Sequence, residues 1–172
     1  DALVIGAGPV GLFQVFQLGL QGLQAHVIDA LPHLGGQCAA LYGDKPIYDI
    51  PALPACTGYE LVQRLHAQTT PFAPVFHLGQ QVNALQALPE GGFHASTAQG
   101  GTWRARAVFL ATGVGAFVPR TLKLPGLEAF EGSQLRYRLD DNACLAGQRV
   151  VVHGGDEAAV QQAIACATAP EA

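Results

Sequence analysis

At 172 residues the chain is long enough for one large domain or one and a fraction. Nine Lys and Arg against thirteen Asp and Glu leave a net charge of −4, which argues against nucleic acid or an anionic membrane as the default partner. Charged residues make up 13% and hydrophobic ones 49%, against a usual charged share of about 25%; such a chain buries a large core and is expected to hide further surface, a missing part of the same polypeptide being one candidate.

Ala2 to Ile5 is a short apolar run and reads as a buried parallel strand. Gly6, Gly8 and Gly11 then give G-x-G-x-x-G, and Leu12 to Leu18 has the length and composition of a helix. The first glycine is expected to make the tight turn and the second to let backbone approach a pyrophosphate. The third lets helix and strand pack closely, and the helix N-terminus faces phosphate. A second strand, Ala25 to Ile28, ends in Asp29, eighteen residues past Gly11 and close to the spacing of about 20 for a ribose-binding acid. In this strand–helix–strand setting the motif predicts a dinucleotide site rather than an ordinary turn with a surface acid.

Residues 30–57 are rich in Pro, Gly and aromatics, and a segment that long without structure is usually functional. Thr57 followed by Glu60 has capping-box spacing and predicts a helix from Gly58 to Thr69, with Leu61, Val62 and Leu65 as its apolar face. Strand-like runs follow at Pro74–Leu78, Val82–Leu88, Gly92–Thr97 and Thr102–Leu110, with Glu90-Gly91-Gly92 at a hairpin turn. They predict a small antiparallel meander, near 82–106, inserted in a parallel fold. Ala107 to Gly113 reads as a buried strand ending in a small-residue loop, and residues 114–147 as irregular. Arg149 to Val160 repeats the strand–glycine turn–helix pattern, with Gly154 and Gly155 at the turn and the helix running to about Ala167. One such unit cannot bury its own sheet faces. With no Met before Asp1, further residues are expected upstream as well.

Cys38, Cys56, Cys144 and Cys166 form no C-x-x-C, and the six histidines show no metal-ligand spacing. Neither zinc nor a disulfide framework is indicated, which suits a reducing cytoplasm. Glycines, Pro9 and two glutamines interrupt the apolar N-terminal stretch, so it is not a membrane span.

Two dinucleotide turns with a meander between them make the chain resemble the two-dinucleotide-binding-domain flavoproteins. Within these it is most similar to the thioredoxin-reductase-like ferredoxin/flavodoxin–NADP⁺ reductases. The resemblance rests on Gly6–Phe13, on Leu34–Tyr42 with Lys45–Pro51, and on Ala111–Arg120. It implies an α/β fold: a Rossmann-like FAD-binding parallel sheet with an inserted antiparallel meander over 1–118. Residues 119–172 would be a linker and the first βα unit of an incomplete NAD(P)-binding domain. FAD is then expected on Gly6, Gly8, Pro9, Val10 and Gly11, with Asp29 on the ribose. By the same resemblance Gly36, Gln37 and Tyr42 line the flavin, Val82 meets the adenine through its backbone, and Ala111, Thr112 and Gly113 close over the cofactor. Phe117 matches an aromatic near the ring, and Gly154 and Gly155 belong to the NADPH turn.

The implied activity is electron transfer between NADPH and ferredoxin or flavodoxin, by a protein that is a homodimer when full length, the fragment itself being inactive. Position 43 is glycine and Cys144 stands alone, so no redox-active dithiol accompanies Cys38; Cys38 is read as a small core filler. No protein acid, base or nucleophile is expected. Two departures weaken the NADPH expectation. His153 stands where the family has the first glycine of its second turn, and strain is expected there. Glu157 puts a carboxylate where a pyrophosphate would lie. A non-catalytic flavin-binding or interaction protein of the same fold, with impaired NAD(P) binding, is the alternative.

Overall fold

Every residue of strand β1 (Ala2–Ile5) is buried, because strands lie on both of its edges and packed layers on both of its faces. The structure is a computed structural model that describes residues 1–41, 43–116, 121–137, 145 and 147–168. The chain divides into two compact units, Asp1–Phe117 and Val118–Ala172.

In the first unit β1 pairs in parallel with β2 (Ala25–Ile28) on one side. On its other side it pairs in parallel with the strand over Ala107–Leu110. Between β1 and β2 runs helix α1 (Pro9–Leu20), which buries Gly11, Leu12, Val15 and Leu18. The segment after β2 is more ordered than its composition suggests. It contains a short helix, α2 (Gly36–Ala40), and a two-residue antiparallel ladder of β3 (Pro46–Ile47) with β4 (Cys56–Thr57). Helix α3 (Gly58–Thr69) follows, opened by the expected capping box. The Thr57 side chain accepts from the Glu60 N–H at 3.2 Å, and the Glu60 carboxylate accepts from the Thr57 N–H at 2.8 Å.

Strand β5 (Val75–His77) departs from expectation: it pairs in parallel with β2 and forms an edge of the main sheet. Phe76 is the reason, since it packs on the same helical side as Val4, Val15 and Val27. The meander is β6 (Val82–Ala87), β7 (Phe93–Thr97) and β8 (Thr102–Ala105), antiparallel throughout. The expected single run Thr102–Leu110 is broken at Arg106, so that β8 stays in the meander while β9 (Ala107–Leu110) joins the parallel sheet. The parallel order is β5-β2-β1-β9.

Period-two alternation then assigns the two faces of the sheet. Ala2, Val4, Ala25 and Val27 point to α1, where Val15 and Leu18 meet them. Leu3, Ile5 and Ile28 point the other way, to Ala95, Trp103 and Ala105 of the meander. A third cluster, Leu12, Ala39 and Val62, joins α1, α2 and α3. The first unit is therefore three layers: helices, parallel sheet and antiparallel sheet.

In the second unit a 3₁₀ turn spans Leu127–Phe130 and helix α4 spans Glu157–Thr168. The Tyr137 hydroxyl accepts from the Leu122 N–H at 3.2 Å and donates to Glu131 at 3.3 Å. The expected helix is present, but residues 149–153 form no ladder, and Val151 is 93% exposed. A strand is defined by its partner, and among the described residues of this unit no strand lies beside this segment.

Candidate cofactor cleft

The parallel strands deliver three turns to one place. β1 runs into Gly6, β2 into Asp29 and β9 into Ala111, and hydrogen bonds continue past the strand ends. The Gly6 N–H donates to the Ile28 carbonyl and the Ala111 N–H to the Ile5 carbonyl, both at 2.8 Å. Crevices at the carboxyl ends of parallel strands are where such sheets bind ligands. Here the crevice is a cleft of about 540 Å³, within the range of small-molecule sites.

Gly6 adopts φ 112°, a left-handed conformation, and a Cβ on it would collide with the Ala111 carbonyl. The turn leads to Gly8, which caps α1 with no side-chain hydrogen bond, and the first turn of α1 carries no acidic residue. The helix N-terminus is thus left to backbone N–H groups and the positive end of its dipole, the arrangement that suits an anion. Gly36, at φ 53°, comes so close to Gly8 that a Cβ on it would lie 3.1 Å from the Gly8 Cα. The Gly35 N–H donates to the Ala7 carbonyl at 2.9 Å and fixes this approach.

Asp29 binds the first turn to the next loop. One carboxylate oxygen accepts from the Ala7 N–H at 2.6 Å and the other from the Leu31 N–H at 2.8 Å. Each oxygen keeps a further lone pair for a ligand hydroxyl. The structure brings Gly6, Gly8, Pro9, Val10, Asp29, Gly36, Gln37, Ala111, Thr112 and Gly113 to the lining of this one cleft. Gly11 lies behind the turn, where a Cβ would strike the Gly6 carbonyl. Val82 is not in the cleft lining, and its side chain packs on the cluster of Leu3, Ile5, Ile28 and Ala95. Tyr42, Phe117 and Cys144 lie outside the described residues.

Leu110 and Val114 also line the cleft, at 69% and 71% exposed, and neither stood out in the sequence. The signal available was position: Leu110 is the last residue of β9 and Val114 follows the small-residue loop. Cys38 borders the cleft too. Burial pushes its thiol above the ordinary value, with Cys56 a lesser contributor, and both cysteines are free. A thiol so shifted is a poor nucleophile at neutral pH, which suits packing rather than redox chemistry. Among the described residues no cluster of three or more His, Cys, Asp or Glu is placed to hold a metal, and no helix is long and apolar enough to cross a membrane.

The second turn differs from the first. His153 is not among the described residues with positive φ, so the expected strain is absent there. The α4 N-terminus is already engaged: the Asp156 carboxylate accepts from the Ala159 N–H at 3.0 Å. Glu157, in the first turn, accepts from the Gln161 side chain at 3.3 Å.

Residues 4–68 match the family model described as an NAD(P)-binding Rossmann-like domain. The chain is 61% identical over its whole length to the ferredoxin–NADP reductase of Paracidovorax citrulli, covering 48% of that protein. It is 60% identical to that of an Acidovorax species, with 98% of the chain aligned to 49% of the relative. It is thus a homologue of these proteins and spans about half the length of the curated relatives it matches. Among solved structures, the atypical thioredoxin reductase TRi of Desulfovibrio vulgaris Hildenborough superposes with a TM-score of 0.57 at 28% identity, over 69% of this chain and 38% of that one. The thioredoxin reductase of T. acidophilum superposes with a TM-score of 0.60 over 78% of this chain and 41% of that one, and at 19% identity it attests the fold alone.

Proposed function

We propose that this chain is the FAD-binding portion, with the start of the pyridine-nucleotide portion, of a reductase that carries electrons between NADPH and ferredoxin or flavodoxin. The observation that carries the reading is the cleft itself. A left-handed glycine turn, an uncapped helix N-terminus and a carboxylate at the end of the neighbouring strand converge there. Homology to proteins named ferredoxin–NADP reductase supports the acceptor and favours an enzyme over a non-catalytic binding protein. Residues 1–118 are assigned to the FAD-binding domain and 119–172 to a linker and the first βα unit of the NAD(P) domain. A homodimer in the cytoplasm completes the proposal.

The residues fit FAD. Glycine at 8 and at 36 leaves room for a diphosphate where two backbones nearly touch, and the α1 N-terminus supplies N–H donors to it. Asp29 would accept from ribose hydroxyls while still holding Ala7 and Leu31. Val10, Leu110 and Val114 offer an apolar surface that a bound cofactor would cover, excluding water from the site. Gln37 lies on the same cleft beside Gly113 and is the polar side chain suited to orient an isoalloxazine ring; by resemblance, Tyr42 would line the flavin and Phe117 would be an aromatic near the ring. Bound FAD would supply the step from a two-electron hydride donor to one-electron acceptors; the protein's part is to bind, orient and shield. Gly154 and Gly155 remain the candidates for NADPH. With Asp156 and Glu157 at the α4 N-terminus the fit there is poorer, and no step is derived through it.

The test is to purify the full-length protein, measure flavin content by visible absorbance, and add NADPH and then oxidised ferredoxin without oxygen. Bleaching by NADPH followed by reoxidation on adding ferredoxin is expected. Protein that takes up no FAD on reconstitution would refute the reading, and a bound flavin that NADPH cannot bleach would remove the reductase.

A further inference from the structure

Outside the cleft, three aromatic side chains from three strands converge on one nitrogen. His77 Nε2 on β5 lies 2.9 Å from His26 Nδ1 on β2 and 3.2 Å from Trp103 Nε1 on β8. The two imidazoles stack at 5.1 Å and the indole tilts against His77 at 5.0 Å. An indole N–H can only donate, so His77 Nε2 accepts and His77 keeps its proton on Nδ1. The second contact to that lone pair is then a donation from His26 Nδ1–H. His77 is neutral in this arrangement, and a proton on its Nε2 removes the acceptor that both neighbours share.

The backbone ties this cluster to the cleft. The His77 carbonyl accepts the Asp29 N–H at 3.0 Å, the Gln80 N–H donates to the Asp29 carbonyl at 2.9 Å, and the Gly79 N–H donates to the Leu31 carbonyl at 2.9 Å. Asp29 is therefore held by its carboxylate on the turn side and by its backbone on the segment that His77 begins. We infer that His77 is a positioning residue for Asp29: through Trp103 and His26 it fixes segment 77–80 against the ribose-side acid, and it does so only while neutral. The inference rests on the reading of the cleft as an FAD site.

The surroundings leave the switch to the cluster itself. His26 is the charged or titratable neighbour that β2 presents to His77, and β8 presents the uncharged Trp103. Next to Trp103, Arg104 turns to Glu90, and the Asp29 carboxylate is taken up by Ala7 and Leu31. Burial, and secondarily the charge of His26, hold His77 below the ordinary histidine value, in keeping with its role as acceptor.

The experiment measures FAD affinity of the full-length protein in steps from about pH 7.5 down past the unperturbed histidine pKa of about 6.5, to the lowest pH at which the protein stays folded. It compares wild type, His77→Gln and His77→Phe. Glutamine keeps an acceptor that does not titrate, and phenylalanine keeps the ring without one. Wild type is expected to weaken about five- to tenfold on acidification, the scale of one net hydrogen bond. His77→Gln should lose most of this pH dependence, and His77→Phe should be weak throughout the series. Trp103 emission, read as the difference from a Trp103→Phe variant, should titrate with the affinity loss. Equal pH dependence in wild type and His77→Gln overturns the inference. Unchanged affinity while Trp103 emission titrates also overturns it and leaves the cofactor reading intact. A wild type that binds no FAD at any pH overturns both.

Discussion

Gly6 combines a φ of 112° with a neighbouring carbonyl where a Cβ would stand. Gly6→Ala meets both obstacles, and a non-glycine residue in such a conformation costs about 1–3 kcal/mol before any steric term. The variant is expected to melt lower and to retain no flavin; a calorimetric scan with unchanged midpoint and full flavin content would contradict this. His77 governs a second residue-level property. Because its folded pKa lies below the unfolded value, the two states carry the same charge above about pH 6.5. Below that the unfolded chain takes up the proton first, so stability falls as pH drops, down to the folded pKa, and then levels off. Denaturant midpoints measured across that window should decline in wild type and decline less in His77→Gln. Neither histidine could be paired from the sequence. His26 and His77 stand fifty-one positions apart, and only the parallel register of β2 with β5 makes them neighbours.

Local rules decide most of the elements. The Thr57–Glu60 capping box and the apolar face of α3 are legible because both depend on residues three or four apart. Thr57→Ala should cost about 1 kcal/mol of stability, and a loss below about 0.3 kcal/mol in urea titration would show that the box is idle. Turn chemistry revealed the Gly91-Gly92 hairpin in the same way. What the sequence conceals are choices between sheets. Val75-Phe76-His77 has the alternation of a meander strand, and it enters the parallel sheet because Phe76 finds the helical layer on that side. Arg106 is a similar case: its N–H bonds to the Asp1 carbonyl at 3.0 Å, a partner more than a hundred positions away, and this contact marks where one apolar run becomes two strands. The cleft glycines and Asp29 were legible because a motif fixes their spacing. Leu110 and Val114 were not, since their exposure at a strand end follows from topology.

At the scale of the molecule the two units differ in how fully they satisfy themselves. The first encloses β1 on both edges and both faces. In the second, Val150, Val151 and Val152 are 40%, 93% and 37% exposed, a short apolar stretch of strand-forming residues with no ladder among the described residues, which is a hazard for association between chains. Val151→Lys is expected to reduce light scattering by the 172-residue chain and to leave the melting midpoint of its first unit unchanged; undiminished scattering would locate the sticky surface elsewhere. The order of the parallel sheet carries a consequence in time. β1 can pair with β2 as soon as residue 28 has been made, but its other edge waits for β9. About 80 residues separate Ile28 from Ala107, which at about 5–20 residues per second is roughly 4–16 s of synthesis. Throughout that interval the central strand of the nascent domain presents an open edge, and the whole meander must emerge before the ribosome delivers the strand that closes it.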